Sequence, residues 1–473
     1  MNNIKKIFGA PGCGKTTRLL NILEKELKEH DPDKIAFVSF TRKGSYEGRD
    51  RAVDKFNYRK EELKYFRTLH SIAFRECGFS KYDLISKKEY KTFSNIIGMK
   101  FTGYYTEDFF HNDDRYLFLD FLKRNNYVMS KRYLYNLDVR KLKFVSHNYK
   151  RFKEYSKIFD FTDMIQIFID QNKPLPIEVA IIDEAQDLTT LQWKMCEIAF
   201  RNCKKVYVAG DDDQAIYEWS GADVNYFIGL KGDSTVLERS YRLPKSILEF
   251  SRHISNNIKK RIEKDFDSIK EEGEIHFYNT IDELKLKENE TYYFLSRNNW
   301  FLNIYRNYLK KRARVFMNKN EFSVDLRHIN AINTFEKMRR NKSISDEAAI
   351  TISPYLKLKE LDLKLPWFHN FNFDNDLIAY YKDLIKNRVD LTNHNLMVNT
   401  IHGVKGGETD NVVLLLNFTK AVRNNLEVNP DSELRCLYVA CTRAKKTLHL
   451  IHSDNRNGYD DYYNFEEYAN DQN

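Results

Sequence analysis

Gly9-Ala10-Pro11-Gly12-Cys13-Gly14-Lys15-Thr16-Thr17 follows a short apolar stretch, Lys5–Phe8, and runs into Leu19, Leu20, Ile22, Leu23 and Leu27 at helical spacing. The run Gly9–Thr16 fits GxxxxGK(S/T) in the order strand, turn, helix. The chemistry follows from the residue types. Glycines let backbone N–H groups close around phosphates, and a helix N-terminus adds positive potential. Lys15 is placed to reach the β- and γ-phosphates, and Thr16 to ligate Mg²⁺. The loop therefore predicts a nucleoside triphosphate site at the end of a parallel strand.

Two further strands predict acids beside it. Val179–Ile182 is apolar and delivers Asp183-Glu184-Ala185-Gln186-Asp187. Asp183 suits the metal and Glu184 the attacking water, the two roles that phosphoryl transfer to water needs. Val206–Ala209 delivers Gly210-Asp211-Asp212-Asp213-Gln214, where Gln214 is an uncharged group able to sense a γ-phosphate or orient water. With Ile35–Phe40 as another buried strand, strands alternating with helices indicate a parallel α/β sheet.

The chain has 473 residues, 77 Lys+Arg against 68 Asp+Glu (net +9), 42% hydrophobic and 14% aromatic residues. These values exclude a disordered chain, a collagen and an integral membrane protein, and apolar runs such as Val412–Leu416 are too short to span a bilayer. Six scattered cysteines form no CxxC pair, so neither a disulfide framework nor a zinc site is indicated. Met1–Lys6 contains no apolar secretory segment, which points to a cytoplasmic protein. A basic balance with many rings suits nucleic acid, cations for phosphates and rings for bases.

The pattern predicts two α/β domains, each interrupted. Residues 1–77 plus 154–240 form the first, with a helical, aromatic, charged insertion at 78–153. Residues 241–323 plus 393–473 form the second, with a short helical insertion at 324–392. Strand candidates for the second set are Val236–Leu237, Glu274–Tyr278, Tyr292–Ser296, Arg314–Met317, Leu396–Thr400, Val412–Leu416 and Leu448–His452.

Further motifs stand in order along the chain: Phe40-Thr41-Arg42-Lys43, Thr68-Leu69-His70-Ser71, Asp160-Phe161-Thr162-Asp163, Tyr241-Arg242, Thr400–Glu408 and Tyr438-Val439-Ala440-Cys441-Thr442-Arg443-Ala444. Together with the P-loop, DEAQD and GDDDQ, they resemble the UvrD/Rep-type superfamily 1 helicases over nearly the full length. The resemblance implies two RecA-like domains with ATP and Mg²⁺ between them, and 3′→5′ movement on single-stranded DNA that unwinds duplex at a junction. It implies Arg242 and Arg443 as arginine fingers reaching across from the second domain, Tyr241 stacked on adenine, Glu408 near the ribose and Arg297 in the same cleft. Planar cations there would stabilise charge on the transferring phosphoryl group. It implies Phe40, Thr41, His70, Tyr217, Trp219, Thr400 and His402 as DNA-facing. Rings stack on any base and suit sequence-independent tracking; Trp219 could instead be a core residue, and His70 a structural one. A monomer and, for a compact phage or viral member, the host cytoplasm are expected.

Three departures stand out. Relatives carry a Gln ahead of the P-loop that bonds adenine, whereas the residues before Gly9 here include none. Ser220 stands after Trp219 where Arg is common, and Gly407 replaces a usual Leu. Finally, Lys131–Lys153 holds eight Lys/Arg and one acid with rings interleaved. It reads equally as a nucleic-acid surface or as an amphipathic helix with rings inward and cations solvated.

Overall fold

The computed structural model describes residues 1, 3–104, 113–125, 137–270, 273–343, 345–357, 361–453, 457–463 and 465. Six strands, β1 (Ile4–Phe8), β2 (Ile35–Ser39), β3 (Tyr65–Arg67), β4 (Val179–Asp183), β5 (Lys205–Gly210) and β6 (Asp233–Val236), form one sheet in the order β3-β2-β4-β5-β1-β6. Every pairing is parallel. All five residues of β2 and of β4 are buried. Helices cover both faces, so these strands read as continuous apolar runs without alternation. One face packs Ile182, Trp193, Met195 and Val208; the other packs Leu19, Leu23, Phe37 and Ile181. Because the strands run one way, their C-terminal ends share one edge: Phe8 pairs with Gly210, and Ser39 with Asp183.

The first insertion contains the helices Lys87–Ile97, Asp114–Arg124 and Val139–Ser156 around Phe93, Phe101, Leu117, Val145 and Tyr149. Its root is ionic. Arg124 and Lys153 both pair with Asp160 and Asp163, which also cap the helix Phe161–Gln171. Burial opposes the charge on Asp160, but Arg124 and Lys153 hold its carboxyl well below the usual range.

Two short strands, β7 (Arg239–Pro244) and β8 (Asp267–Lys270), pair in parallel by themselves. A second sheet comprises β9 (Glu274–Tyr278), β10 (Tyr292–Ser296), β11 (Met317–Asn318), β12 (Glu321–Phe322), β13 (Leu396–Thr400), β14 (Thr409–Leu415) and β15 (Ala444–Ile451). Its order is β12-β11-β13-β10-β14-β15-β9, parallel except for the β11–β12 pair. The second insertion packs the helices Leu326–Asn341 and Asn375–Lys386 around Phe335, Trp367, Phe371, Tyr380 and Tyr381.

The chain forms two compact units, residues 1–273 with 420–442, and residues 274–419 with 443–473. The expected boundary at 240/241 differs from this division. The segment 241–273, expected in the second domain, belongs to the first unit, because its cations are buried against Asp211–Asp213. β6 likewise pairs with β1 in the first sheet, whereas Val236–Leu237 was grouped with the second set of strands. No helix among the described residues is long and apolar enough to cross a membrane.

Candidate active site

The P-loop leaves β1 and closes on itself, with the Cys13 N–H donating to the Ala10 carbonyl at 3.2 Å. Gly12 has φ +77°, and a Cβ there would lie 2.3 Å from the Cβ of Arg242. Only glycine meets both demands. The helix Lys15–Glu29 starts with no side-chain cap and no acid in its first turn, so its free N–H groups face an anion unopposed. Lys15 Nζ donates to the carbonyls of Gly9 (2.6 Å) and Ala10 (3.3 Å), which holds the ammonium over the loop. Thr17 is the third residue of that helix. Burial pushes the Cys13 thiol up to about 11, so it packs the loop as a neutral group.

The ends of β4 and β5 bring the acids to this loop. Thr16 Oγ1 donates to Asp183 Oδ2 at 3.4 Å. Asp183 is 2% exposed, and burial, then the charge of Glu184, pushes its carboxyl up to about 7 against the pull of Lys15 and Thr16. A hydroxyl and a desolvated carboxylate are hard oxygen donors, a set that fits Mg²⁺. Glu184 takes φ +53°, the left-handed region that a non-glycine residue rarely adopts. This turns the chain sharply at the strand end.

Gln186 was not singled out from sequence, yet it joins the two acidic strands. Its Nε2 donates to Glu184 (2.6 Å) and Asp187 (3.2 Å), and its Oε1 accepts from the Asp211 N–H at 3.1 Å. A Cβ on Gly210 would lie 2.5 Å from that Oε1, so the close approach requires glycine. Gln214 Nε2 donates to Asp211 Oδ2 at 2.7 Å.

Behind Gln214 lies a buried charge cluster. Lys264 Nζ contacts Asp211 (3.2 Å), Asp212 (2.6 Å) and Asp213 (2.9 Å), with all four side chains fully buried. Arg261 makes a two-pronged pair with Asp213 at 3.0 and 2.8 Å. No motif singled out Arg261 or Lys264; a basic residue buried between helix and strand leaves no local signature.

Arg242 and Tyr241 sit in the same compact unit as the P-loop, which corrects the expectation that Arg242 reaches in from the other domain. β7 is hydrogen-bonded directly to the loop: the Tyr241 N–H donates to the Gly12 carbonyl at 3.0 Å, and Ser240 Oγ to that of Pro11 at 2.9 Å. The Tyr241 ring is exposed. Arg297, Thr400, His402, Glu408 and Arg443 belong to the second unit. There Arg443 Nη1 donates to the Gly407 carbonyl at 3.1 Å, Glu408 is exposed 3.8 Å from Lys445, and Arg297 is buried just beyond β10. Thr400 Oγ1 accepts from the Gly403 N–H at 3.3 Å, and His402 opens the short turn that follows.

Residues 1–235 match the UvrD/REP helicase N-terminal domain, and residues 295–455 the UvrD-like helicase C-terminal domain. The chain belongs to the UvrD/Rep helicase family. It is similar to the ATP-dependent DNA helicase Rep of Buchnera aphidicola subsp. Baizongia pistaciae, at 26% identity over 53% of this chain and 41% of that one. It is also similar to the ATP-dependent DNA helicase PcrA of Staphylococcus aureus, at 25% identity over 59% of this chain and 41% of that one. The chain thus spans less than half the length of these curated relatives. Among solved structures, an arterivirus nonstructural protein 10 helicase aligns with a TM-score of 0.36 at 10% identity, over 94% of this chain and 59% of that one.

The remaining residues that the helicase resemblance marks as DNA-facing lie in the first unit. Phe40 packs tilted against Tyr217, with centroids 5.6 Å apart, and Thr41 is exposed and caps the helix Arg42–Phe56. His70 packs edge-on to the exposed Phe161, with centroids 5.4 Å apart, and burial lowers its pKa to about 4, so the ring is neutral. Trp219 is half-buried: it rests on Phe118, Leu119 and Leu122 of the first insertion, 6.0 Å from the Phe118 ring. Its packing on the first insertion leaves part of the residue open to solvent. Of the basic stretch, residues 131–136 lie outside the described residues. Val145, Tyr149 and Lys153 turn inward, while Arg140, Lys143, His147 and Arg151 are solvated. Lys153 is thereby committed to Asp160 and Asp163 and is removed from any phosphate-binding face.

Proposed function

We propose that this chain is an ATP-dependent DNA helicase that moves 3′→5′ on single-stranded DNA and opens duplex at the junction. The observation that carries the reading is the meeting of Thr16 and Asp183, 3.4 Å apart, beside Lys15 and Glu184 at the shared edge of one parallel sheet. The loop N–H groups and Lys15 bind the triphosphate, and Tyr241 lies against adenine. Mg²⁺, when held by Thr16 and Asp183, supplies charge neutralisation at the phosphates. Glu184 takes the proton of the attacking water, and Gln214, oriented by Asp211, faces the γ-phosphate. Arg242 acts on the charge that develops on the transferring phosphoryl group, and Phe40, Thr41, His70, Tyr217 and Trp219 face the strand; the family resemblance assigns Arg443, Glu408 and Arg297 to the nucleotide and Thr400 and His402 to DNA.

Phosphate release with and without single-stranded DNA, followed by strand displacement on 3′- and 5′-tailed duplexes, tests the reading. DNA-stimulated release with displacement from the 3′ tail is expected. Release without displacement would reduce the activity to translocation, and no release at all would leave a DNA-binding factor.

A further inference from the structure

The loop 211–220 carries Gln214 near one end and Trp219 near the other, and charged side chains grip it at both. Lys264 and Arg261 hold Asp211–Asp213. At the far end, Glu218 meets the helix Pro430–Cys441: Arg435 Nη1 donates to Glu218 Oε1 at 2.6 Å, and Asn429 Nδ2 to Glu218 Oε2 at 3.0 Å. The second arm of Arg435 donates to the Lys260 carbonyl at 2.6 Å, and the residue is 1% exposed. Asp431 on the same helix accepts the N–H groups of Lys259 and Lys260 at 3.0 and 2.9 Å. Ser220, by contrast, donates back to its own turn, to the Tyr217 carbonyl at 2.9 Å. The helix that holds Glu218 runs on through Thr442 directly into Arg443.

We propose that Glu218 and Arg435 are positioning residues that couple base stacking at Trp219 to ATP hydrolysis. The inference rests on the function proposed above. A buried guanidinium that holds Glu218 with one arm and the Lys260 carbonyl with the other has little freedom to slide, so displacement of the Trp219 turn by a stacked base is passed to the helix Pro430–Cys441 and to the segment 259–264. That segment, through Lys264, bears on Asp211 and hence on Gln214. Ser220 cannot serve this role while its hydroxyl is turned inward.

The test compares Glu218→Gln, Arg435→Lys and the double variant. Phosphate release is measured with and without oligo-dT, and oligo-dT affinity by fluorescence anisotropy. Each single variant should lower the DNA-stimulated kcat about tenfold, the loss expected for one charge-assisted hydrogen bond. The DNA-free rate and the oligo-dT Kd should stay within about twofold, and the double variant should be no worse than the poorer single, since residues acting as a unit are non-additive. Stimulation by DNA that survives Glu218→Gln overturns the proposal, as does additive loss, or a fall in DNA affinity equal to the fall in rate. Should Arg435→Lys fail to fold, the near-isosteric Glu218→Gln carries the test alone. A wild-type chain that releases no phosphate in the presence of DNA strikes the helicase reading itself; a stimulated wild type with an unchanged Glu218→Gln strikes only the coupling.

Discussion

At the end of β5, Asp211, Asp212 and Asp213 meet Lys264 and Arg261; at the end of the neighbouring β4, Asp183 meets another acid, Glu184. Both sites are dry. In the first, the fold brings two cations for three acids: burial opposes ionisation, yet Lys264 and Arg261 hold Asp213 below the usual carboxylate range while Asp212 stays above it. In the second, burial and Glu184 outweigh Lys15, and Asp183 is pushed up to about 7. A buried acid cluster that two of the protein's own cations grip directly serves structure. One that it leaves short of positive charge is where a divalent cation and a triphosphate restore the balance.

The sharpest way to break this contrast is at Glu184. Glu184→Gln keeps shape and removes the base, so kcat should fall by about 10²–10⁴-fold while ATP still binds. Lys15→Ala deletes a phosphate cation instead, and ATP affinity should drop about tenfold or more. Single-turnover hydrolysis and a fluorescent-nucleotide titration separate the two, and normal turnover by Glu184→Gln would remove Glu184 from the chemistry.

The next test sets the two acid clusters against each other by stability alone. Lys264→Met leaves three buried carboxylates without their central cation and should cost about 3–5 kcal/mol in urea unfolding. Asp183→Asn removes a charge that Lys15 and Thr16 compensate only in part, so stability should hold or rise while hydrolysis is lost. If both variants lose stability alike, the two clusters are not different in kind.

The same contrast explains what sequence could show. The P-loop, Asp183-Glu184 and Asp211–Gln214 were legible because each lies within a few residues of an apolar strand that announces its own end. Their partners were not: Lys264 lies some fifty residues beyond Asp212, and Arg435 more than two hundred beyond Glu218. A lone cation in a helical or irregular segment reads as solvated until the fold buries it. The two-sheet architecture was legible, but β6 carried no register to say which sheet it joins, and β3, β7 and β8 are too short or too mixed to show a period. The division of Arg242 from Arg443 between units followed from β7 bonding to the P-loop, a contact that no spacing implies.

Trp219 tests whether a site can rest on packing rather than charge. Its ring lies on Phe118, Leu119 and Leu122, so Trp219→Ala should weaken oligo-dT binding by about 1–3 kcal/mol. It should also lower stability, whereas Phe118→Ala, under the ring, should do the second with a smaller effect on the first. Unchanged DNA affinity in Trp219→Ala would make the ring purely a packing group.

The smallest effect is expected at His70, where burial removes charge instead of pairing it. Its pKa falls from 6.5 in the unfolded chain to about 4 in the fold. Between these values the unfolded state binds the extra proton, so stability is fully present above pH 6.5 and is lost as pH falls toward 4. The shift sets an upper bound of about 3 kcal/mol, and the ring's remaining contact with water should cut this to roughly 1 kcal/mol. His70→Asn should flatten that part of the urea-midpoint profile between pH 4 and 6.5, leaving a further slope from His449, which burial also lowers to about 4. If the profile is unchanged in His70→Asn but oligo-dT affinity falls, His70 belongs to the DNA face and not to the packing around Phe161.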